Sequence, residues 1–201
     1  MIKRVAPWFL PTYDNYPYNI QRVDSSRYFL LYQYGGMYVD MDIRPQPNVT
    51  NIIRNSFLPV GKHPVAMPPA NGGPASRDKF LQAVLFPSTF QAWWLPASGR
   101  ITNAIMIAPR PGSTFFARVI SNLQASYQTT YNVFYYMYIL TSAGSRYINL
   151  QYLEFEEANP GQVQVLDLEV ARTRLTHIEG NSWHKKDAFG NVADVVRPMI
   201  D

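Results

Sequence analysis

The spacing of apolar side chains along the chain predicts its first helix and strand. Between about residues 20 and 34 the pattern turns helical, because residues recur at three- and four-residue steps: Val23, Arg27, Leu30, Leu31 and Tyr34. Gly35-Gly36 is expected to end this helix, because glycine takes the left-handed cap without steric cost. Residues 37–43 then form an apolar run interrupted by two aspartates and followed by prolines, which predicts one short strand.

The rest of the chain predicts an alternation of helices and short strands. We expect irregular turns over residues 1–20 and long loops over 55–98, with a short helix near 79–85. Strands are expected over 101–109, 163–168 and 175–178, and helices over 115–127 and 131–141. This alternation predicts an α/β layer structure, and residues 1–201 fit a single domain.

Composition and charge narrow the class of protein. The chain is 47% hydrophobic and 16% charged, which indicates a globular protein, and it has no cysteine for disulfides or thiolate metal sites. The net charge is +4, but the basic residues are scattered, so we expect no nucleic acid and consider anionic ligands such as nucleotide diphosphates. No stretch reaches the ~20 apolar residues that span a bilayer, and the first ten residues do not resemble a signal peptide.

Asp40 and Asp42 carry the strongest candidate chemistry. Carboxylates at positions i and i+2 of a strand point to one side, where they can reach one hard cation such as Mg²⁺ or Mn²⁺. Such a cation neutralises a diphosphate leaving group when a sugar–phosphate bond breaks. Asp-X-Asp is common in solvated turns, but here the flanking residues are apolar, and buried acids need compensation. The structural alternative requires two nearby basic partners.

Asp24 and Arg27 lie three residues apart and therefore on one face of the predicted helix. One interpretation is a surface ion pair worth less than ~1 kcal/mol. The other is a pair that binds sugar hydroxyls beside the metal site. From these two residues alone the surface pair is favoured.

Several segments together resemble glycosyltransferase family 32, the sugar-transferring family with the Asp-X-Asp motif. The main block runs from Asp24-Ser-Ser-Arg27 through the predicted helix and Gly35-Gly36 to Tyr38-Val-Asp-Met-Asp42. Three further segments fit the family: Pro7-Trp-Phe-Leu10, Asn103-Ala-Ile-Met106 followed by 111–116, and His177-Ile-Glu-Gly-Asn-Ser-Trp-His184. Their order and spacing look most like the inositol-phosphoceramide mannosyltransferase branch; the family also includes initiating α-1,6-mannosyltransferases.

The resemblance implies a GT-A fold, a Rossmann-like nucleotide-sugar-binding sheet flanked by helices. It implies retaining transfer of a hexose, with GDP-mannose favoured over a UDP-sugar as donor, to inositol phosphoceramide or a glycan, helped by Mn²⁺ or Mg²⁺. By position, Asp42 would be the principal metal ligand and Asp40 a ligand of the metal or the ribose. His177, alone an ordinary strand-end histidine, would be a second ligand. The remaining implied residues bind the donor: Asp24 and Arg27 at the sugar hydroxyls, Tyr38 and Asn103 in the pocket, and Ser182 and Trp183 at the diphosphate.

The chain also departs from the family pattern. Family members usually begin with a strand some tens of residues before the Trp-Phe segment; this chain lacks it, so we expect an N-terminally short domain. Ala104 and Ala143-Gly-Ser145 differ from the usual residues. An alternative is therefore a non-catalytic sugar- or nucleotide-binding or regulatory subunit. A glycosidase fits poorly, because hydrolases place their two carboxyls roughly 5–9 Å apart on separate elements. The family implies a Golgi setting and a membrane-anchored partner subunit.

Overall fold

The chain forms a mixed α/β structure, and the computed structural model describes residues 1–46, 81–87, 101–129 and 135–177 of it. Within these residues the helices are α1 (Ile2–Val5), a 3-10 helix (Pro7–Phe9), α2 (Leu10–Asn15), α3 (Asn19–Tyr34), α4 (Thr114–Thr129), α5 (Tyr135–Ser142), α6 (Ser145–Ala158) and α7 (Leu168–Arg174). The strands are β1 (Gly36–Val39), β2 (Ile43–Pro45), β3 (Ala83–Pro87), β4 (Ile101–Ala108), β5 (Val163–Val165) and β6 (Leu175–His177).

The strands form two separate sheets. The larger has the order β1-β4-β3-β5; β4 pairs antiparallel with β1 and β3, and β5 pairs parallel with β3. The smaller sheet consists of β2 and β6, which run antiparallel. The predicted α/β class is confirmed.

Apolar side chains cover both faces of the larger sheet. One face, with Leu85 and Met106, packs into the main core with buried residues of α3, α4 and α6. The other, with Val84 and Ile107, packs into a smaller cluster that includes Ile43 of β2 and Ala171 of α7. The two clusters lie on opposite faces because successive side chains of a strand point to opposite sides of the sheet. At the edge of this sheet, β1 lies beside α3.

Helix α3 is confirmed within one residue of its predicted start, but its buried face differs from the expected one. Val23, Leu30 and Tyr34 are exposed by 49%, 38% and 56%. The buried face is instead partly polar and includes Gln21, Asp24, Ser25, Arg27, Tyr28 and Leu31. Several of these side chains form hydrogen bonds or ion pairs with other parts of the fold, and these contacts rather than the apolar spacing determine which face of α3 is buried.

Gly35 ends α3 as predicted and lies against the turn that follows β4. Its φ of 65° and ψ of −161° fall in a region that glycine almost alone occupies. A Cβ atom on Gly35 would lie 2.9 Å from the carbonyl carbon of Arg110 and 3.0 Å from the nitrogen of Pro111. Both the backbone conformation and the close approach therefore require glycine.

Replacing Gly35 with alanine should lower the free energy of unfolding by about 3 kcal/mol or more, because backbone strain and a steric clash add. Gly161→Ala is the matched control: its φ is also positive, at 75°, but nothing lies within 4 Å of the added carbon. We expect a loss of about 1–2 kcal/mol there, measured by urea unfolding. Equal losses in the two variants would contradict the proposed clash at Gly35.

Several predicted elements are wrong or incomplete. Residues 1–20 contain α1, the 3-10 helix, α2 and the start of α3 rather than irregular turns, and the expected helix near 79–85 is strand β3 where it is described. Helix α6 was not predicted, and the strand predicted over 163–168 ends at Val165, with α7 beginning at Leu168. Strand β4 and helix α4 are confirmed, as is the last strand as far as His177. In the described part of the chain no helix is long and apolar enough to cross a bilayer.

Candidate functional site

Arg27 stands at the centre of a charged cluster between α3 and the end of β1. Its Nη2 lies 2.7 Å from Asp24 Oδ1, one helical turn earlier, and its Nη1 lies 3.2 Å from both carboxylate oxygens of Asp40. Only 3% of the Arg27 side chain and 7% of the Asp24 side chain are exposed. The pair is therefore buried, and the interpretation as a surface ion pair is wrong.

Tyr38 and the backbone of β4 complete the surroundings of Arg27. The guanidinium lies over the Tyr38 ring, 4.6 Å from its centre, and the Tyr38 hydroxyl donates a 2.7 Å hydrogen bond to Asp40 Oδ1. Arg27 Nη1 also donates to the backbone carbonyl of Asn103 at 2.7 Å. Burial acts to lower the pKa of Arg27, but Asp24 and Asp40 outweigh it and raise that pKa, so the cation is fixed.

The Asp-X-Asp segment is a turn rather than one continuous strand. Asp40 N–H still donates to the Ala104 carbonyl at 2.9 Å, but Ile43 N–H donates to the Asp40 carbonyl at 3.1 Å, which closes a four-residue turn. Met41, between the two acids, is fully exposed. The strand predicted over residues 37–43 is therefore wrong beyond Val39, because aspartate favours turns over strand interiors.

The two acids nevertheless lie two residues apart in the chain, and the strand that follows them pairs with the strand that contains His177. Asp42 is half-buried and directly precedes β2, and Ile43 of β2 lies opposite His177 of β6. Carboxylate oxygens suit Mg²⁺ or Mn²⁺, and imidazole is an ordinary Mn²⁺ ligand. Among the residues described, no group of three or more His, Asp or Glu side chains is assembled as a metal site. Two carboxylates from Asp40 and Asp42, with an imidazole from His177, are nevertheless ligand types that suit such an ion.

Four of the implied site residues meet around a fifth, Arg27, whereas Asp42 precedes β2 and His177 is the last residue of β6. Asp24, Tyr38 and Asp40 contact Arg27 through their side chains, and Asn103 does so through its backbone carbonyl oxygen. Ser182 and Trp183 lie outside the described residues.

Burial raises the pKa of the Asp24 carboxyl to about 6 from an ordinary value of 3.8. Arg27 opposes this by stabilising the carboxylate, and the negative charge of Asp40 adds to it. The site therefore holds an acid that ionises only near neutral pH, in direct contact with a fixed cation.

Replacing Asp24 with asparagine should flatten the pH dependence of stability between about pH 4 and about pH 7. Because the carboxyl titrates at 3.8 when unfolded and about 6 when folded, the folded state holds a proton across this window that the unfolded state has lost. The contribution of Asp24 to the free energy of unfolding is thus fully present below the lower value and is lost as the pH rises through the higher one. Urea unfolding should show the parent losing roughly 2–3 kcal/mol more than the variant. Parallel pH profiles would contradict the raised pKa.

Sequence reasoning missed the residues that support Asp24 from the far side. Tyr28, one turn after Asp24 on α3, donates its hydroxyl to the Ala143 carbonyl in the turn between α5 and α6, and Gly144 of that turn lies next to Asp24. Gln21, Asp24 and Tyr28 lie three and four residues apart, and this spacing of polar and aromatic residues is the signal that could have indicated a buried polar face.

Comparison with known proteins identifies the block that contains the Asp-X-Asp turn. Residues 1–58 match the family model described as a glycosyltransferase sugar-binding region containing DXD motif. The resemblance to the Asp-X-Asp glycosyltransferases is confirmed. Among the described elements, this family model covers those from α1 to β2. Beyond residue 58 the similarity is to individual proteins.

Individual relatives match over most of the chain, and their names describe mannose-containing inositol phosphoceramide lipids as what they make or act on. The chain is 27% identical over 186 residues to inositol phosphoceramide mannosyltransferase 1 of Schizosaccharomyces pombe, covering 90% of this chain and 47% of the relative. It is 27% identical over 195 residues to a mannosyl phosphorylinositol ceramide synthase of Saccharomyces cerevisiae, covering 93% and 42%. Over 37 residues, 18% of this chain and 10% of the relative, it is 65% identical to inositol phosphoceramide mannosyltransferase 3 of Schizosaccharomyces pombe. The chain thus spans less than half the length of these relatives, and no solved structure matches it.

Proposed function

We propose that this chain forms the donor-binding core of a retaining glycosyltransferase of the GT-A type. The proposed reaction moves mannose from GDP-mannose to inositol phosphoceramide, with a glycan as the other acceptor class. The similarity to named mannosyltransferases supports the reaction class. The observation that carries the proposal is the buried Arg27, which Asp24 and Asp40 hold at the end of β1.

Arg27 has one N–H group left that could donate a hydrogen bond to a ligand. Its Nε–H is buried and meets no acceptor in the part of the chain that is described. A buried donor without an acceptor costs about 1–3 kcal/mol, which a bound hydroxyl oxygen would recover. We therefore assign this N–H, with the ionised Asp24 carboxylate beside it, to the hydroxyl groups of the donor sugar.

Asp40 and Asp42 would face the donor diphosphate. Together with His177 they would hold a Mn²⁺ or Mg²⁺ ion, which supplies positive charge next to the leaving group. The Tyr38 hydroxyl and Arg27 fix the Asp40 carboxylate, so its position does not have to be organised when the donor binds. The sugar–phosphate bond breaks, the acceptor oxygen bonds to the same face of the sugar, and the acceptor proton passes to the departing phosphate.

The same contacts favour one alternative, a sugar-binding module that does not need a metal. Arg27 and Tyr38 already neutralise and bond the Asp40 carboxylate, as a purely structural acid would require. Thermal-shift titration with GDP-mannose separates the two functions. Equal stabilisation with and without Mn²⁺ would support the module, whereas stabilisation that requires Mn²⁺ would support the transferase.

The direct test is a transfer assay with GDP-mannose, inositol phosphoceramide in detergent micelles and Mn²⁺, read by mass spectrometry of the lipid. UDP-glucose and UDP-galactose in parallel reactions test the base and the sugar. We expect a lipid product one hexose heavier with GDP-mannose and no such product with either UDP-sugar. If calorimetry detects neither GDP nor UDP binding and no lipid product forms, the proposed enzyme is wrong.

The lipid acceptor extends the proposal to where the chain acts. An enzyme that modifies a membrane lipid must work at a bilayer surface, and we expect this one at the Golgi membrane, with a membrane-anchored partner subunit as a further component of the proposal. Co-purification from detergent-solubilised Golgi membranes checks both expectations.

A further inference from the structure

The buried polar face of α3 is held by a short turn that nothing so far connects with function. This segment, the α5–α6 turn, comprises Ser142 at the end of α5 with Ala143 and Gly144 after it, and all three are buried. Gln21 Nε2 donates to Ser142 Oγ at 2.7 Å, and the Tyr28 hydroxyl donates to the Ala143 carbonyl at 2.7 Å. One bond lies a helical turn before Asp24 and the other a turn after it.

Between these two bonds the α5–α6 turn touches the functional carboxylate. A Cβ atom on Gly144 would lie 3.3 Å from Asp24 Oδ2, 2.9 Å from the Cα of Leu140 and 3.2 Å from the Ile139 carbonyl oxygen. Asp24 Oδ1 contacts Arg27 on the opposite side. The Asp24 carboxylate is thus confined between the guanidinium and a glycine that has no side chain to displace it.

We propose that Tyr28 and Gly144 are positioning residues for the donor sugar. The Tyr28–Ala143 bond fixes the distance between α3 and the α5–α6 turn, and the absence of a side chain at Gly144 lets Asp24 sit where it can hold Arg27 and accept a hydroxyl. This inference rests on the proposed function, in which Asp24 and Arg27 bind the sugar part of the donor. It adds that their placement is set by a turn about 120 residues later in the chain and not by α3 alone.

A matched pair of buried tyrosines allows this role to be separated from plain stability. Tyr28 and Tyr147 are both essentially unexposed, and each donates its hydroxyl to a backbone carbonyl, Ala143 for Tyr28 and Val119 for Tyr147. Their rings are 6.2 Å apart in the same core. Substitution by phenylalanine removes the hydroxyl and leaves the ring in place: Tyr28 loses its 2.7 Å bond to the Ala143 carbonyl and a long 3.5 Å contact with the Gly144 carbonyl, and Tyr147 loses its bond to the Val119 carbonyl.

The test is calorimetry of the full chain with GDP-mannose and with GDP, both with Mn²⁺, for Tyr28→Phe and Tyr147→Phe. Both variants should melt lower than the parent by similar amounts, about 2–4 °C for each kcal/mol of stability lost in a chain of this length. Tyr28→Phe should raise the Kd for GDP-mannose about tenfold, because a small displacement of binding groups is costly. Its Kd for GDP should stay unchanged, since GDP lacks the sugar. Tyr147→Phe should change neither Kd.

Gly144→Ala is a second variant: the added carbon would clash with Leu140 Cα at 2.9 Å and reach Asp24 Oδ2 at 3.3 Å, so it should melt lower than both tyrosine variants and weaken GDP-mannose more than GDP. If Tyr28→Phe weakens GDP and GDP-mannose equally, or matches Tyr147→Phe in both, the positioning role is wrong while the proposed function stands. A parent chain that binds neither ligand overturns the proposed function, and this inference with it.

Discussion

Asp42→Asn should abolish transfer of mannose from GDP-mannose while leaving the fold intact. The asparagine side chain keeps the shape of aspartate but carries no negative charge, and the proposed task of Asp42 is to hold a divalent cation at the diphosphate. Electrostatic groups of this kind are worth about 10²–10³-fold in rate when one is removed, and we expect at least the upper end. Because Asp42 is half-buried in a turn, the melting temperature should change little. Product formation and thermal melting measure the two effects.

Asp14→Asn is the matched control for Asp42. It makes the same chemical change at an exposed position of α2, so both rate and melting temperature should stay at parental values. A raised Mn²⁺ concentration should partly restore turnover in Asp42→Asn if the defect is metal affinity. Parental turnover in Asp42→Asn would end the proposal that this carboxylate takes part in the reaction.

The second large effect is expected at Arg27. Arg27→Met keeps most of the side-chain volume but leaves two carboxylates beside each other without their cation, one of them almost fully buried. Breaking a buried ion pair from one side costs about 3–5 kcal/mol. The donor site should lose its sugar contacts as well, with GDP-mannose affinity falling about 100-fold or more. Urea unfolding and calorimetry provide the two readings.

Two further variants separate stability from function at this position. Arg118→Met breaks an exposed pair with Glu154 and should cost less than about 1 kcal/mol with no effect on binding. The double variant Asp24→Asn with Arg27→Met removes both buried charges, so it should recover stability but not donor affinity. If the double variant also binds GDP-mannose at parental strength, Arg27 and Asp24 have only a structural role.

Elements that follow local rules could be predicted from the sequence. Helix α3 shows an apolar period and ends at a glycine pair, and α4 and β4 have buried faces whose spacing matches their element. Part of the site could be predicted from the same local pattern, because Asp24 and Arg27 lie three residues apart and share a face of α3 whatever that face packs against. Their burial could not be predicted this way, since the Asp40 carboxylate and the Asn103 carbonyl reach Arg27 from 13 and 76 residues away.

The misses have physical causes of the same kind. The strand expected over residues 37–43 breaks at Asp40, where an internal hydrogen bond of the turn replaces the ladder. Helix α6 buries Tyr147, Ile148, Gln151 and Phe155, a helical spacing partly hidden by a polar residue in the buried stripe. The buried face of α3 was misassigned because Gln21 and Tyr28 are buried where they donate hydrogen bonds to the α5–α6 turn, and such distant partners leave no local signal.

The break at Asp40 also determines what the two acids join. Asp40 continues the edge of the four-stranded sheet through its bond to Ala104, whereas Asp42 leads into the two-stranded sheet, whose other strand ends at His177. A ligand shared by both carboxylates would therefore cross-link two sheets whose described strands do not pair with each other. Occupancy of this position would stiffen the junction between them and reduce amide hydrogen exchange in β2 and β6 more than in β3 and β4.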